Sequence, residues 1–284
     1  MYQQAFSRHR PGCIIFMVDR SDSMKTDWAG TGTTLAEGAA RAINKILLEL
    51  CIKSIKEPGA PMRLYFYVGI YGYGLCPRTG SEGVESALPP RLAQRGIVPL
   101  PELADQPLAV REEPSLDRMA GSASAPVWYE AAYGWRTPMC SAISLVGSHI
   151  REWVAACPNS FPPIVVNITD GMVTDSPYEG VDLAEWAARL TRVGTRDGNT
   201  LLLNAFLSPS TAPITCFPSR AANLPDPGPA LFAISSELPE PLIRNARSAR
   251  LEVAPGARGF VFNADLAALV QFLEIGTRVG LSHE

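Results

Sequence analysis

The stretch Cys13-Ile-Ile-Phe-Met-Val18-Asp19-Arg-Ser21-Asp-Ser23 decides which fold this chain can adopt. Six apolar residues in succession, ending at Val18, predict a strand that is buried on both faces of a sheet. One carboxylate and two hydroxyls follow at alternate positions, Asp19, Ser21 and Ser23. Burying a carboxylate without a partner is costly, and hard cations such as Mg²⁺ prefer oxygen ligands. The stretch therefore predicts a divalent-cation site at the end of a buried strand.

Two later segments supply oxygen atoms of the same kind. In Gly134-Trp-Arg-Thr137-Pro-Met139, Thr137 stands just before a helical pattern, with a proline at the first helical position. Ile164-Val-Val-Asn-Ile-Thr-Asp170-Gly171 predicts a second buried strand that ends in Asp-Gly. If this strand lies beside the first one, Asp19 and Asp170 converge at the carboxyl edge of a parallel sheet, where such folds bind ligands.

Asp-x-Ser-x-Ser after a first strand, Thr in a middle loop and Asp after a later strand occur here in an order that resembles the von Willebrand factor A family. The resemblance covers roughly residues 12 to 206. It implies a metal-ion-dependent adhesion site that binds Mg²⁺, with Mn²⁺ or Ca²⁺ as alternatives. The implied metal ligands are Asp19, Ser21, Ser23, Thr137 and Asp170.

The resemblance also implies what this site does. In the family the two serines bind the ion directly, and the threonine and the second aspartate bind directly or through water. One coordination position is then left for an Asp or Glu side chain of a partner protein. Bacterial relatives often act beside protein kinases, phosphatases or AAA+ ATPases, so one of these classes is the expected partner. The implied function is binding within an intracellular signalling or assembly system, and the chain is not expected to be an enzyme.

Other interpretations of the same residues stay open. A Mg²⁺-dependent phosphohydrolase of the haloacid dehalogenase type also places an aspartate after an apolar strand, but its Asp-x-Asp signature has a second carboxylate where this chain has Ser21. A von Willebrand factor A scaffold with an inactive metal site is another alternative. Each residue also has a structural alternative: a strand-end cap for Asp19, turn formers for the serines, a helix cap for Thr137 and an Asp-Gly turn for Asp170.

Three side chains beside the predicted site differ from the simple pattern. Asp22 adds negative charge, which favours a cation and disfavours an acidic partner, and Arg20 is expected to neutralise it. Trp28 is either an exposed contact for the partner or a buried core residue.

Strand and helix patterns alternate along the chain, which predicts an α/β fold. Strands are expected over 13–19, 63–71, 163–169, 200–207, 230–235 and 259–263, and helices over 34–57, 139–156, 181–193, 239–249 and 264–279. We expect one domain over residues 1–284, built on a doubly wound, mostly parallel sheet with helices on both sides. The strand at 63–71 is the expected antiparallel member. Irregular proline-rich insertions are expected at about 77–126 and 208–229.

Composition and charge narrow the function classes. A net charge of −3 and a pI near 5.7 argue against a nucleic-acid partner. No stretch approaches the length of an apolar membrane span, so no membrane partner is expected. The first residues lack the apolar core of a secretion signal, which favours a cytoplasmic location.

Overall fold

A computed structural model describes residues 1–57, 59–114, 122–176 and 181–277. Its strands are β1 (Gly12–Arg20), β2 (Phe66–Cys76), β3 (Ser81–Ser86), β4 (Ile97–Pro99), β5 (Ala109–Pro114), β6 (Ser122–Val127), β7 (Ile164–Thr169), β8 (Gly194–Thr195), β9 (Gly198–Asn199), β10 (Leu201–Phe206), β11 (Thr215–Cys216) and β12 (Phe260–Phe262). Its α-helices are α1 (Leu35–Lys53), α2 (Leu100–Ala104), α3 (Met139–Ala156), α4 (Leu183–Arg192), α5 (Gly228–Ile234), α6 (Glu240–Ser248) and α7 (Leu266–Thr277). None of the helices in these described ranges is long and apolar enough to cross a membrane.

The central sheet has the strand order β11-β12-β10-β7-β1-β2-β3, and β4 also pairs with β2. The pairs among β12, β10, β7, β1 and β2 are all parallel. From β1 the chain adds β2 on one side and later adds β7 on the other side. The strand order therefore reverses between β1 and β7, and a crevice at the carboxyl ends of these two strands is the usual ligand position in such sheets. The chain is a mixed α/β protein with a mostly parallel sheet flanked by helices.

Alternation along β1 divides the core into two layers. Ile14, Phe16 and Val18 pack in the cluster that includes α1, α2, α6 and α7, whereas Ile15 and Met17 pack in the cluster that includes α3, α4 and α5. Since successive side chains point to opposite faces, Asp19 lies on the α3 face of the sheet and Arg20 on the α1 face.

The sequence patterns located most elements. Helix α1 begins after Thr34, whose side chain forms the predicted reciprocal capping box with Glu37, and α3 has the predicted bounds. Helices α4, α6 and α7 lie within the predicted ranges, although residues 278 and 279 of the last prediction fall outside the described residues. Strands β1, β7, β10 and β12 match four of the predicted strands.

Two predictions of secondary structure were wrong. The second strand is not the antiparallel member, because β2 begins at Phe66 and pairs in parallel with β1 over its first nine residues; β3 and β4, on β2, and β11, on β12, are antiparallel. The run 230–235 is not a strand. It lies largely in α5, which has a proline in its first turn and buries Leu231 and Phe232 on one side only.

The expected insertion at 77–126 is more regular than its composition suggested. Its described part contains β3, β4, α2, β5 and β6, and two of these strands extend the central sheet beside β2. Residues 115–121 of the predicted insertion lie outside the described residues. Proline-rich composition concealed these strands because they are short and lie at the edge of the sheet, where proline is tolerated. The segment 208–229 is mostly irregular, with only the two-residue β11 and the start of α5.

Candidate metal site

Asp19 lies at the carboxyl end of β1 and is completely buried. Its Oδ1 accepts a hydrogen bond from the backbone N–H of Ser21 at 2.8 Å. Its Oδ2 accepts one from the hydroxyl of Thr169, at the end of β7, at 2.6 Å. The carboxylate is therefore held at the point where the strand order reverses.

The two serines connect the first strand to the second aspartate. Ser21 Oγ and Ser23 Oγ lie 3.0 Å apart, and the Ser23 hydroxyl donates to Asp170 Oδ1 at 2.8 Å. Ser23 belongs to a 3-10 helix over Asp22–Lys25, and both the N–H and the hydroxyl of Thr26 donate to its carbonyl. The local turn thus places both hydroxyls between the ends of β1 and β7.

Gly171 shows that Thr137 belongs to the same group of oxygens. A Cβ at Gly171 would lie 3.5 Å from Thr137 Oγ1, 3.6 Å from Asp19 Oδ2 and 3.6 Å from Ser23 Oγ. Three oxygens, two from the stretch that contains Asp19 and Ser23 and one from the loop of Thr137, therefore surround one small space, which the missing side chain of Gly171 leaves open. The structure brings all five predicted site residues into this one neighbourhood.

The loop that holds Thr137 is fixed by residues that the sequence did not single out as ligands. The Thr137 N–H donates to Thr174 Oγ1 at 2.8 Å, and the Thr174 N–H donates back to the Thr137 carbonyl at 3.1 Å. The carboxylate of Asp175 accepts from the N–H groups of Cys140 and Ser141, at 2.9 and 2.8 Å, and from the Ser141 hydroxyl at 2.7 Å. Asp175 therefore satisfies free amides at the start of α3.

Burial controls the charge state of the two aspartates. It raises the pKa of Asp19 to about 7, although hydrogen bonds from Ser21 and Thr169 favour the carboxylate. Burial also raises the pKa of Asp170, against the hydrogen bond from Ser23. A bound cation would stabilise the ionised form of both carboxyl groups and so offset the effect of burial.

Arg20 does not neutralise Asp22, which corrects that prediction. Arg20 lies on the opposite face from Asp19, where its guanidinium is buried, donates to Tyr129 and pairs with Glu85 at 3.1 Å. Asp22 is exposed and pairs with Lys25 at 2.7 Å. Glycine at position 72 makes room for the arginine, since a Cβ there would lie within 2.4 to 2.6 Å of its side chain.

Trp28 is a core residue, so the alternative of an exposed partner contact is wrong. Its side chain is buried, its indole N–H donates to the Ala264 carbonyl at 3.1 Å, and its ring occupies the position where Gly38 lacks a side chain. The long loop after the first turn therefore anchors the site to the α1 face and exposes no aromatic ring at this position.

The donor set fits a hard cation. Among the residues that the structure describes, no group of three or more His, Cys, Asp or Glu side chains is arranged to hold a metal ion. The candidate site has two carboxylates, so hydroxyls of Ser21, Ser23 and Thr137 must supply other ligands. Oxygen-only sets of this kind suit Mg²⁺ or Mn²⁺ and do not suit Zn²⁺ or copper.

Comparison with known proteins adds little to this description. No family model matches the chain, and no curated protein matches it. Proximal thread matrix protein 1 from the mussel byssus is similar in structure, with a TM-score of 0.46, 14% identity, and 95% of this chain aligned to 48% of that one. The pilus adhesin SpaC from Lactobacillus rhamnosus GG has a TM-score of 0.44 and 10% identity, with 95% of this chain aligned to 31% of that one. The chain thus spans about half and a third of these two proteins, and nothing about its function follows from scores at this level.

Proposed function

We propose that this chain is a von Willebrand factor A-type domain that binds Mg²⁺ at the carboxyl edge of its sheet and uses the site to capture an Asp or Glu side chain of a partner protein. The observation that supports this proposal best is the space at Gly171, which is surrounded by oxygens of Thr137, Asp19 and Ser23. Asp19, Ser21, Ser23, Thr137 and Asp170 would hold the ion. When bound, the ion supplies an electrophilic position for a carboxylate oxygen.

The residues of the chain divide this work between them. Asp19 and Asp170 supply the negative charge, and the hydroxyls of Ser21 and Ser23 supply neutral oxygens that do not repel an arriving anion. Asp19 lies at the bottom of the site, with no exposed surface, whereas Ser23 is exposed and Asp170 is partly exposed. A partner side chain can therefore approach only from the side of Ser23 and Asp170.

The proposed function is binding and not catalysis. A phosphohydrolase of the haloacid dehalogenase type would need a carboxylate as general acid two residues after Asp19, but this position is Ser21, whose hydroxyl lies 3.0 Å from that of Ser23. The partner class, whether kinase, phosphatase or AAA+ ATPase, stays a prediction of the resemblance, as does the cytoplasmic location.

Retention of proteins on the immobilised full-length chain tests the proposal. We expect proteins from the source cell to be retained in Mg²⁺, to be released by EDTA, and not to bind the variant Asp19→Asn. Asp22→Asn is the matched control, because it makes the same charge change at an exposed residue nearby. Retention that is insensitive to EDTA and to Asp19→Asn would contradict the proposal.

A further inference from the structure

Large apolar side chains are exposed in the two loops that hold Thr137 and Gly171. Trp135 and Tyr133 precede Thr137 in its loop and are 56% and 44% exposed, and Met172 follows Gly171 and is 63% exposed. Large apolar side chains that are exposed beside a polar site often mark a protein contact. The site and its surroundings therefore differ in chemistry: oxygen atoms at the centre and apolar groups at the edge.

Trp135 is held in place even though its ring is exposed. Its backbone has a φ of 65°, which is rare for a bulky residue. Its carbonyl accepts from the N–H of Asp22 at 3.0 Å, and its indole N–H donates to the Gly80 carbonyl at 3.2 Å. Strained backbone that the surrounding contacts maintain is common at binding sites. A ring ordered before binding also loses little entropy when a ligand covers it.

Arg136 supplies a positive charge in this loop, whereas the charge of the exposed Asp22 is paired with Lys25. The side chain of Arg136 is 73% exposed, and only its Nε pairs with Glu82, at 3.0 Å. Among the described contacts none uses its two terminal nitrogens, which are free to donate to a carboxylate. Arg136 directly precedes Thr137 in sequence, so its terminal nitrogens are the cationic donors that this loop offers to an acidic ligand.

We propose that the segment captured at this site presents its Asp or Glu between large apolar side chains, which bind against Trp135 and Tyr133 in one loop and Met172 in the other. This inference rests on the proposed function and adds a chemical class of ligand: an acidic residue within an apolar stretch of a partner protein. The carboxylate supplies the metal-dependent part of the affinity, and the apolar neighbour supplies the selectivity among acidic segments.

Three fluorescein-labelled peptides of one length test it on the full-length chain by fluorescence polarisation in Mg²⁺ and in EDTA. One has a central glutamate flanked by leucines, the second has the glutamate flanked by serines, and the third has glutamine flanked by leucines. In Mg²⁺ we expect the leucine-flanked glutamate peptide to bind about tenfold more tightly than the serine-flanked one. Trp135→Ser and Met172→Ser should each remove part of this difference, and together most of it.

Control variants distinguish the loss of an apolar contact from a loss of folded structure. Trp135→Phe and Met172→Leu should preserve the preference, and every variant should retain its Mn²⁺ affinity, measured by electron paramagnetic resonance. Ile52→Ser is the matched control, because Ile52 is equally exposed near the end of α1, at the opposite edge of the sheet. It should change nothing.

The outcomes separate this inference from the function on which it rests. Equal binding of the leucine- and serine-flanked peptides, or a preference that survives Trp135→Ser and Met172→Ser, overturns the inference while metal-dependent glutamate binding stands. Equal binding of the glutamate and glutamine peptides, unaffected by EDTA, overturns the proposed function and this inference with it. Dimerisation of the chain in Mg²⁺ that Trp135→Ser abolishes would assign the surface to a second copy and also overturn the inference.

Discussion

Thr169 and Asp19 join the ends of two neighbouring parallel strands through a hydrogen bond of 2.6 Å from the threonine hydroxyl to Oδ2. The same hydroxyl oxygen accepts the N–H of Gly171 at 3.1 Å. One side chain therefore orients the buried carboxylate and also the glycine that faces the space between the oxygens. This makes Thr169 a positioning residue for the candidate metal site.

Thr169→Val tests this role at nearly constant volume. The change removes a hydrogen bond that favours the Asp19 carboxylate, so the pKa of Asp19 should rise further above its ordinary value. We expect the Mn²⁺ affinity at pH 7 to fall about tenfold and to recover at higher pH. Titrations with Mn²⁺ from pH 6 to pH 9 measure this. An affinity that falls equally at every pH would show that Thr169 does not act through the charge of Asp19.

Gly171→Ala tests whether the space between the oxygens is the site. The new methyl group would lie in ordinary van der Waals contact with Thr137 Oγ1, Asp19 Oδ2 and Ser23 Oγ, and Gly171 has no positive φ, so the fold should tolerate it. We expect the Mn²⁺ affinity to fall by about tenfold or more, because the methyl occupies the space. Gly147→Ala is the matched control, since its Cβ would meet only Leu190 at 3.6 Å. Unchanged affinity in Gly171→Ala would place the metal elsewhere.

The stability of the metal-free protein should depend on pH through Asp19. Because burial raises the pKa of Asp19 from 3.8 to about 7, the protonated form is favoured in the folded state. The contribution of Asp19 to the free energy of unfolding is therefore fully present below about pH 4 and is lost as the pH rises through 7. Burial and Glu274 also raise the pKa of Glu49 to about 7. Glu49 should therefore lower the free energy of unfolding over the same pH range as Asp19.

Saturating Mg²⁺ separates the two contributions. Only the part due to Asp19 should be offset by the ion, and the increase in Tm between EDTA and Mg²⁺ should grow from pH 5 to pH 8. The variant Asp19→Asn should show no such increase. An increase of equal size at every pH would contradict the assigned charge state.

Asp175→Asn tests how the loop after β7 is anchored to the start of α3. Asparagine cannot match a carboxylate that accepts three hydrogen bonds at the start of α3. We expect the free energy of unfolding in urea to fall by about 1 kcal/mol or more. The Mn²⁺ affinity should fall less than it does in Gly171→Ala, because Asp175 acts only through the position of Thr137. A larger effect on the metal than on stability would make Asp175 a ligand.

Apolar runs in the sequence predicted the long buried strands correctly and one short helix wrongly. The run before Asp19 indicated a buried strand because no polar residue interrupts it, and the run before Asp170 did so because Asn167 and Thr169 are its only polar residues. The run 230–235 has an equally apolar composition but lies mostly in a helix, since proline at positions 227 and 229 begins a turn that the run continues. A short apolar segment does not distinguish the two structures by periodicity.

The surroundings of the site were less predictable than its central residues. The pairing of Arg20 with Asp22 was predicted wrongly, because its actual partner Glu85 is on a strand inside a proline-rich segment, and no local pattern joins the two. Thr169 and Asp175 flank the Asp-Gly motif, and their roles depend on contacts with β1 and α3 that only the tertiary fold creates. The alternation of Asp19, Ser21 and Ser23 was visible in the sequence because the end of β1 and the short turn after it hold all three residues.

Titration with Mn²⁺, followed by electron paramagnetic resonance at pH 8, measures whether Asp19 and Asp170 hold a metal ion. We expect one site in the wild-type chain, its loss in Asp19→Asn and Asp170→Asn, and its retention in Asp22→Asn, with all three variants folded by circular dichroism. Unchanged Mn²⁺ binding in Asp19→Asn, or no binding in the wild-type chain, would contradict the proposed metal site.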